Sequence, residues 1–169
     1  WDFGAYDTTY ISQFANQKRY ENRGQSLHTV CPYDYFGEPL KSQMCALFGT
    51  SSQQIIPNTE CTTTEPDVLG AVSGAWFDSP EIGYAGSTFS IAAEPDNRIS
   101  FAGIGGDLRI TASNPTWLDP ELMTTSRCYA DSGRWFYLEV KDEGMQLAVA
   151  TGSGSCPGSI PVNATVYYR

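Results

Sequence analysis

The sequence is poor in charge, and poorest in positive charge. Only 17% of its 169 residues are charged, and 10 Lys and Arg stand against 19 Asp and Glu, for a net charge of −9. A chain this acidic repels phosphate backbones, and no Lys/Arg stripe offsets the repulsion, so nucleic acid is not an expected partner. An anionic membrane surface is disfavoured for the same reason. No apolar run approaches the ~20 residues that span a bilayer, so the chain is not expected to be membrane-spanning.

Histidine is nearly absent. His28 stands alone, and no C-x-x-C pair accompanies it. Zinc therefore lacks its usual ligand spacing. Ser-His-Asp or Cys-His chemistry would have to run through His28, around which no nucleophile motif stands. No metal and no cofactor are expected. A phosphate loop is missing too. Gly103, Gly105 and Gly106 lead into the strand-like Asp107-Leu-Arg-Ile-Thr111, not into the helix N-terminus such a loop needs, so a tight hairpin is expected there.

What is present fits an exported β protein. The apolar fraction, 41%, is that of an ordinary globular chain, and the length suits one domain with an appended segment. Gly, Thr, Ser, Tyr and Trp are plentiful and favour strands and turns. The start at Trp1, without a basic-then-apolar leader, is read as the product of signal-peptide removal. Scattered cysteines in an acidic, Lys-poor chain read as disulfides. The preferred pairs are Cys128 with Cys156 and Cys31 with Cys61, each closing a loop of roughly 30 residues and contributing about 3–4 kcal/mol. Cys45 is left over, either as a half-buried helix thiol or as a bond to another chain. The expected location is secreted and extracellular, or periplasmic or cell-surface.

Two regions are expected. Residues 1–67 read as a helical N-terminal segment and connector packed on the body of the protein. Phe3, Tyr6, Tyr10 and Phe14 recur at helical spacing, with Asp7 as cap of a helix over about 8–18. Leu40, Met44, Leu47 and Phe48 share one face of a second helix that starts after Pro39 and stops at Gly49, with Cys45 at the edge of that stripe. Residues 68–169 read as antiparallel β. Candidate strands are 69–77, 83–93, 98–104, 107–112, 124–130, 134–141, 144–151 and 162–169. Phe136, Leu138 and Val140 alternate with Trp135, Tyr137 and Glu139, and Met145, Leu147 and Val149 share a face. Val162, Ala164, Val166 and Tyr168 form the apolar face of the last strand, opposite Asn163, Thr165, Tyr167 and Arg169. Turn residues such as Asp131-Ser-Gly133 and Asp142-Glu-Gly144 separate the strands. Short hairpins make a meander, and eight meandering strands close into an up-and-down barrel, with a two-sheet sandwich as the rival.

Gly74-Ala-Trp76 opens the β region and Arg169 ends it. In these residues the chain resembles the calycins, the lipocalins and their shorter relatives such as bacterial metalloprotease inhibitors. The resemblance implies a lipocalin-like eight-stranded barrel in which the Trp76 indole packs at one end and Arg169 covers it. It also implies action by binding, either of a small apolar molecule inside the barrel or of a protein surface outside it. Phe101, Trp135 and Tyr137 are the candidate ligand-binding residues, since strand aromatics line cavities and make contacts. Two other functions fit the residues. The chain could be a subunit of an extracellular filament or surface assembly, with residues 1–20 docking on the next copy. It could also be a secreted hydrolase using paired carboxylates, Asp34 with Glu38 or Glu94 with Asp96. Asn163-Ala-Thr165 is an N-glycosylation sequon on the outward face of the last strand, while Asn114-Pro-Thr is blocked by its Pro.

Overall fold

The computed structural model describes residues 5–23, 27–47, 49–50, 53–54, 67–81, 89–94, 98–103, 108–111 and 113–169. The N-terminal region is not the helical segment that its aromatic spacing predicts. Strand β1 (Ala5–Tyr6) pairs antiparallel with β2 (Thr29–Val30), and a 3-10 turn spans Gln17–Tyr20. Asp7 does cap, but it caps a turn: its Oδ1 accepts from Thr9 N (2.8 Å). A second 3-10 turn, Pro32–Tyr35, precedes the single described α-helix, α1 (Leu40–Cys45). At six residues α1 is too short to bury the expected stripe. Leu40 is exposed and Leu47, beyond the helix end, is 81% exposed; Phe48 lies outside the described residues. A small ribbon of β3 (Gly49–Thr50) and β4 (Gln53–Gln54) follows.

The rest is mainly antiparallel β, as the alternation predicts. One four-stranded meander runs β5 (Gly74–Trp76), β6 (Phe89–Glu94), β7 (Arg98–Ala102) and β8 (Leu108–Thr111). The other runs β9 (Ser126–Asp131), β10 (Arg134–Lys141), β11 (Gln146–Ser153) and β12 (Thr165–Tyr168). β7 and β8 pair antiparallel, so a strand and not a helix follows Asp107; Gly105 and Gly106, where the tight hairpin is expected, lie outside the described residues. Ser132 and Gly133, at φ of 50° and 76°, make the two-residue β9–β10 turn whose twist matches the flanking strands.

The two meanders meet at one edge. Phe77 N donates to Tyr168 O (2.9 Å) and Tyr168 N to Phe77 O (2.8 Å), which joins the end of β5 to β12. At the other edge β8 and β9 carry no ladder between them, so the described strands do not form a closed barrel. At the β9 edge the Ala130 backbone is instead satisfied by side chains. Ala130 N donates to Thr116 Oγ1 (3.0 Å), and Ala130 O accepts from Asn114 Nδ2 (2.9 Å). Side chains that occupy edge amides keep that edge from pairing with another strand.

One core fills the space between the meanders. Trp76, Phe89, Ile91, Ile99, Phe101, Ile110, Tyr129, Phe136, Leu138 and Leu147 are all fully buried. Ring meets ring across it: Phe136 lies 5.3 Å from Phe101 and 6.1 Å from Phe89, and Phe101 lies 5.1 Å from Tyr129. The Tyr129 hydroxyl donates to Leu118 O (3.1 Å), which makes its burial tolerable, and burial pushes its phenol pKa up.

The last strand faces the other way from the hydropathy reading. Tyr167 and Arg169 are buried, while Val166 and Tyr168 on the opposite face are only half-buried; Thr165, at the start of the buried face, is exposed. Tyr167 turns inward because its ring packs against Phe89 (6.1 Å). Hydropathy ranks a phenol and a guanidinium as outward residues, but it does not see the partners that receive them here.

Candidate functional site

Three places decide what this molecule can do: the end of the core where Arg169 lies, the outer face carrying Trp135 and Tyr137, and the surface of residues 5–47.

Arg169 places its guanidinium carbon 4.1 Å from the centroid of the Trp76 ring. Its Nη1 donates to Val68 O (2.8 Å), and its Nη2 donates to Ser73 O. The indole N–H of Trp76 donates to Val72 O (3.0 Å). A buried cation needs this density of acceptors, because an unpaired charge in the interior is expensive. Asp67 supplies the opposite charge and is only 5% exposed. Its Oδ1 accepts from Ala75 N (2.8 Å) and its Oδ2 from Ala15 N (3.3 Å). Burial pushes the Asp67 carboxyl upward in pKa, and the Arg169 charge and the two amides pull it back. Burial lowers the Arg169 pKa, and the Asp67 charge opposes that. Gly74 fits this corner twice over. Its φ of +132° suits glycine, and a Cβ there would collide with the Asp67 carboxylate.

The neighbouring residue, Phe77, takes a second arginine. Arg19 sets its guanidinium carbon 4.4 Å from the Phe77 ring centroid, and donates to Ser79 O (2.6 Å) and Glu81 O (2.7 Å). Phe14 stacks on Tyr20 at 3.7 Å, and Tyr20 meets Phe77 edge-on. Asn16 Nδ2 donates to Arg169 O (3.2 Å). Residues 14–20 are thus a strap held on the protein's own β5–β12 junction. Asp67 and Arg19 were not singled out from the sequence. Nothing local marks them, since most of their partners are remote: Arg19 meets Phe77, Ser79 and Glu81, and Asp67 meets Ala15 and Arg169 besides the nearby Ala75.

The three candidate ligand-binding residues do not come together. Phe101 is a core residue on the inner face. Trp135 and Tyr137 are half-buried on the opposite face of β10 from the buried Phe136 and Leu138. Trp135 lies over Gly152, its cross-strand partner, where a Cβ would collide with the indole. Its Nε1 donates to Ser153 O (3.2 Å). Tyr137 is in register with Cys128, which is bonded to Cys156 (Cα–Cα 6.0 Å). That disulfide is the pair the sequence predicts.

The other cysteine assignment needs correction. Cys31 is a half-buried thiol, not a disulfide partner of Cys61, and Cys45 is disulfide-bonded, not left over. Spacing could not separate the two, because doubling a loop changes its closure cost by only about 0.6 kcal/mol. Cys61 lies outside the described residues.

The catalytic candidates are occupied structurally. His28 Nδ1 pairs with Tyr10 O (2.6 Å). Asp34 is ion-paired with Lys41 (2.8 Å), and Glu38 accepts from the Ser42 hydroxyl (2.5 Å). Glu94 is the last residue of β6, and Asp96 lies outside the described residues. Among the described residues no group of three His, Cys, Asp or Glu side chains could hold a metal. Among the described residues no helix is long and apolar enough to cross a membrane.

Among the described residues, 5–47 carry most of the exposed large hydrophobics. Tyr6, Ile11, Tyr35, Leu40 and Leu47 are all exposed, whereas residues 67–169 expose only Leu69, Leu122 and Val162 among large hydrophobics, counting described residues. The Asp7 carboxylate here is held by neutral donors. The Tyr35 hydroxyl donates to Asp7 Oδ2 (2.5 Å), and Thr9 donates to Asp7 Oδ1. The hydrogen bonds from Thr9 and Tyr35 lower the Asp7 pKa to about 2, and the bond to Asp7 raises the Tyr35 pKa to about 12.

No protein-family model, curated protein or solved structure matches the chain.

Proposed function

We propose that this is a non-enzymatic, extracellular, calycin-like β-barrel that acts by binding a protein partner through the apolar surface of residues 5–47. The observation that carries the reading is the contrast between a filled interior and that exposed apolar surface. Stacked rings occupy the inner positions that a small apolar ligand would use, so binding falls to the outside. The barrel reading draws support from the Phe77–Tyr168 junction and from Arg169 lying on Trp76, the arrangement the resemblance implies. The extracellular reading draws support from the Cys128–Cys156 disulfide.

The reading of a subunit in an extracellular assembly is a special case in which the partner is a second copy. Residues 14–20 are committed to their own body, which leaves the exposed residues around Tyr6 and Leu47 for such a contact. The paired-carboxylate hydrolase has less support, since Asp34 and Glu38 serve local structure.

The test is chemical cross-linking of the protein in its native setting, compared with Leu40→Asp and Leu47→Asp. A stoichiometric protein adduct on the wild type that both variants lose, at unchanged melting temperature, is expected. Sedimentation velocity tells whether the adduct is a second copy. An adduct that survives both substitutions, or hydrolysis of an ester or glycan panel that Asp34→Asn abolishes, would contradict the proposal.

A further inference from the structure

We infer that Asn163 carries an N-linked glycan. Sequence, position, exposure and disulfide chemistry support this. The sequon Asn163-Ala-Thr165 is the sole unblocked one in the sequence. It does not lie inside the last strand, as the sequence pattern suggests, but on the turn that leads into it: Ala164 N donates to Pro161 O (3.1 Å), and β12 begins only at Thr165. Asn163 and Thr165 are both exposed, so the acceptor amide and the hydroxyl two residues on are presented together. Beside them Val162 is wholly exposed, at 108% of its reference area. Val162 is the most exposed large hydrophobic among the described residues, ahead of Leu69 and Leu122, and a carbohydrate on the next residue would cover it. Finally, the Cys128–Cys156 bond places folding in an oxidising compartment, where a eukaryotic cell also transfers oligosaccharides.

The transfer is balanced with a polyprenyl-diphosphate-linked oligosaccharide as donor. The Asn163 Nδ2 attacks the anomeric carbon and a C–N bond forms. The anomeric C–O bond breaks, the polyprenyl diphosphate leaves with the electron pair, and the amide nitrogen loses one proton.

The position of the glycan has a consequence. Thr165 and Arg169 stand at opposite ends of β12, about 14 Å apart at ~3.4 Å per residue. The strap is fastened at the Arg169 end through Asn16. A glycan at Asn163 is therefore attached at the end of β12 away from the strap.

The experiment is secretion of the full chain from a eukaryotic host, followed by intact mass with and without peptide-N-glycosidase F, and by non-reducing peptide mapping. The expected result is one oligosaccharide increment, removed by the enzyme with conversion of Asn163 to Asp. Asn163→Gln and Thr165→Ala should lose it, and Thr165→Ser should keep it, all with Cys128–Cys156 intact. Secreted, disulfide-bonded wild-type protein bearing no sugar on Asn163 would overturn the inference, as would an increment that survives Asn163→Gln.

Discussion

Residues 67–169 and residues 5–47 are held together by opposite means. The first buries its large side chains in one continuous core and leaves few apolar groups outside. The second buries little beyond Arg19, Tyr20, Val30 and Ser12, and keeps Leu40, Leu47 and Tyr35 in solvent. Its attachment runs through directional contacts: Arg19 on Phe77 and two carbonyls, Ala15 on Asp67, and Asn16 on Arg169. The difference separates a scaffold, whose stability comes from area removed from water, from an appendage whose position is fixed by a few polar clamps. An appendage of that kind can be altered without unfolding what carries it.

That contrast can be broken most forcefully from the core side. Phe136→Ala should cost about 3–5 kcal/mol in denaturant unfolding, because the ring is fully buried between Phe89 and Phe101. Replacing both Cys128 and Cys156 by Ser should cost about 3–4 kcal/mol, the loop-closure entropy of their 28-residue separation. Gly74→Ala strikes where the two regions meet. Overpacking against Asp67 alone should cost about 1–3 kcal/mol, and the substitution should also loosen Ala15. A loss under 1 kcal/mol in any of these three would mean the packing differs from that described.

Arg19→Ala should separate the regions instead of unfolding them. We expect faster proteolysis within residues 5–47 while residues 67–169 keep their unfolding midpoint within about 1 kcal/mol. Arg19→Lys should recover only part of the protection, since lysine cannot serve two carbonyls and a ring in the fixed geometry of a guanidinium. Equal protease sensitivity in wild type and Arg19→Ala would show that the strap is held elsewhere.

The mildest effect is electrostatic. The Asp7 carboxyl is depressed to about 2, so its contribution is complete above its ordinary value near 3.8 and fades as pH falls toward 2. The Tyr35 phenol is raised to about 12, so its contribution is complete below 10 and fades as pH rises through 12. The Asp7–Tyr35 contact should therefore persist between about pH 4 and pH 10. Ultraviolet titration should find a tyrosine ionising near 12 that returns toward 10 in Asp7→Asn.

The β region was legible because its signals are local. Phe136 and Leu138 alternate with Trp135 and Tyr137 regardless of what lies beyond them, and Asp131-Ser-Gly133 specifies its turn by its own residues. The last strand was misread for the same reason. Tyr167 and Arg169 are drawn inward by Phe89, Trp76 and the Val68 and Ser73 carbonyls, which sequence position does not announce. The N-terminal region was read least well. The spacing of Phe3, Tyr6, Tyr10 and Phe14 matches a helix, but pairing of Ala5–Tyr6 with Thr29–Val30 overrides it, as long-range pairing commonly overrides a short periodic pattern. Of the site, the Trp76–Arg169 pair was legible through a resemblance, whereas Asp67 and Arg19 were not legible at all.

The central claim is that the interior is already full and that recognition happens outside it. Native mass spectrometry of the purified chain with a long-chain fatty acid in excess addresses this directly. The account predicts no retained ligand and unchanged intrinsic tryptophan fluorescence. A one-to-one complex whose formation shifts that fluorescence, and which Phe101→Trp blocks, would contradict it.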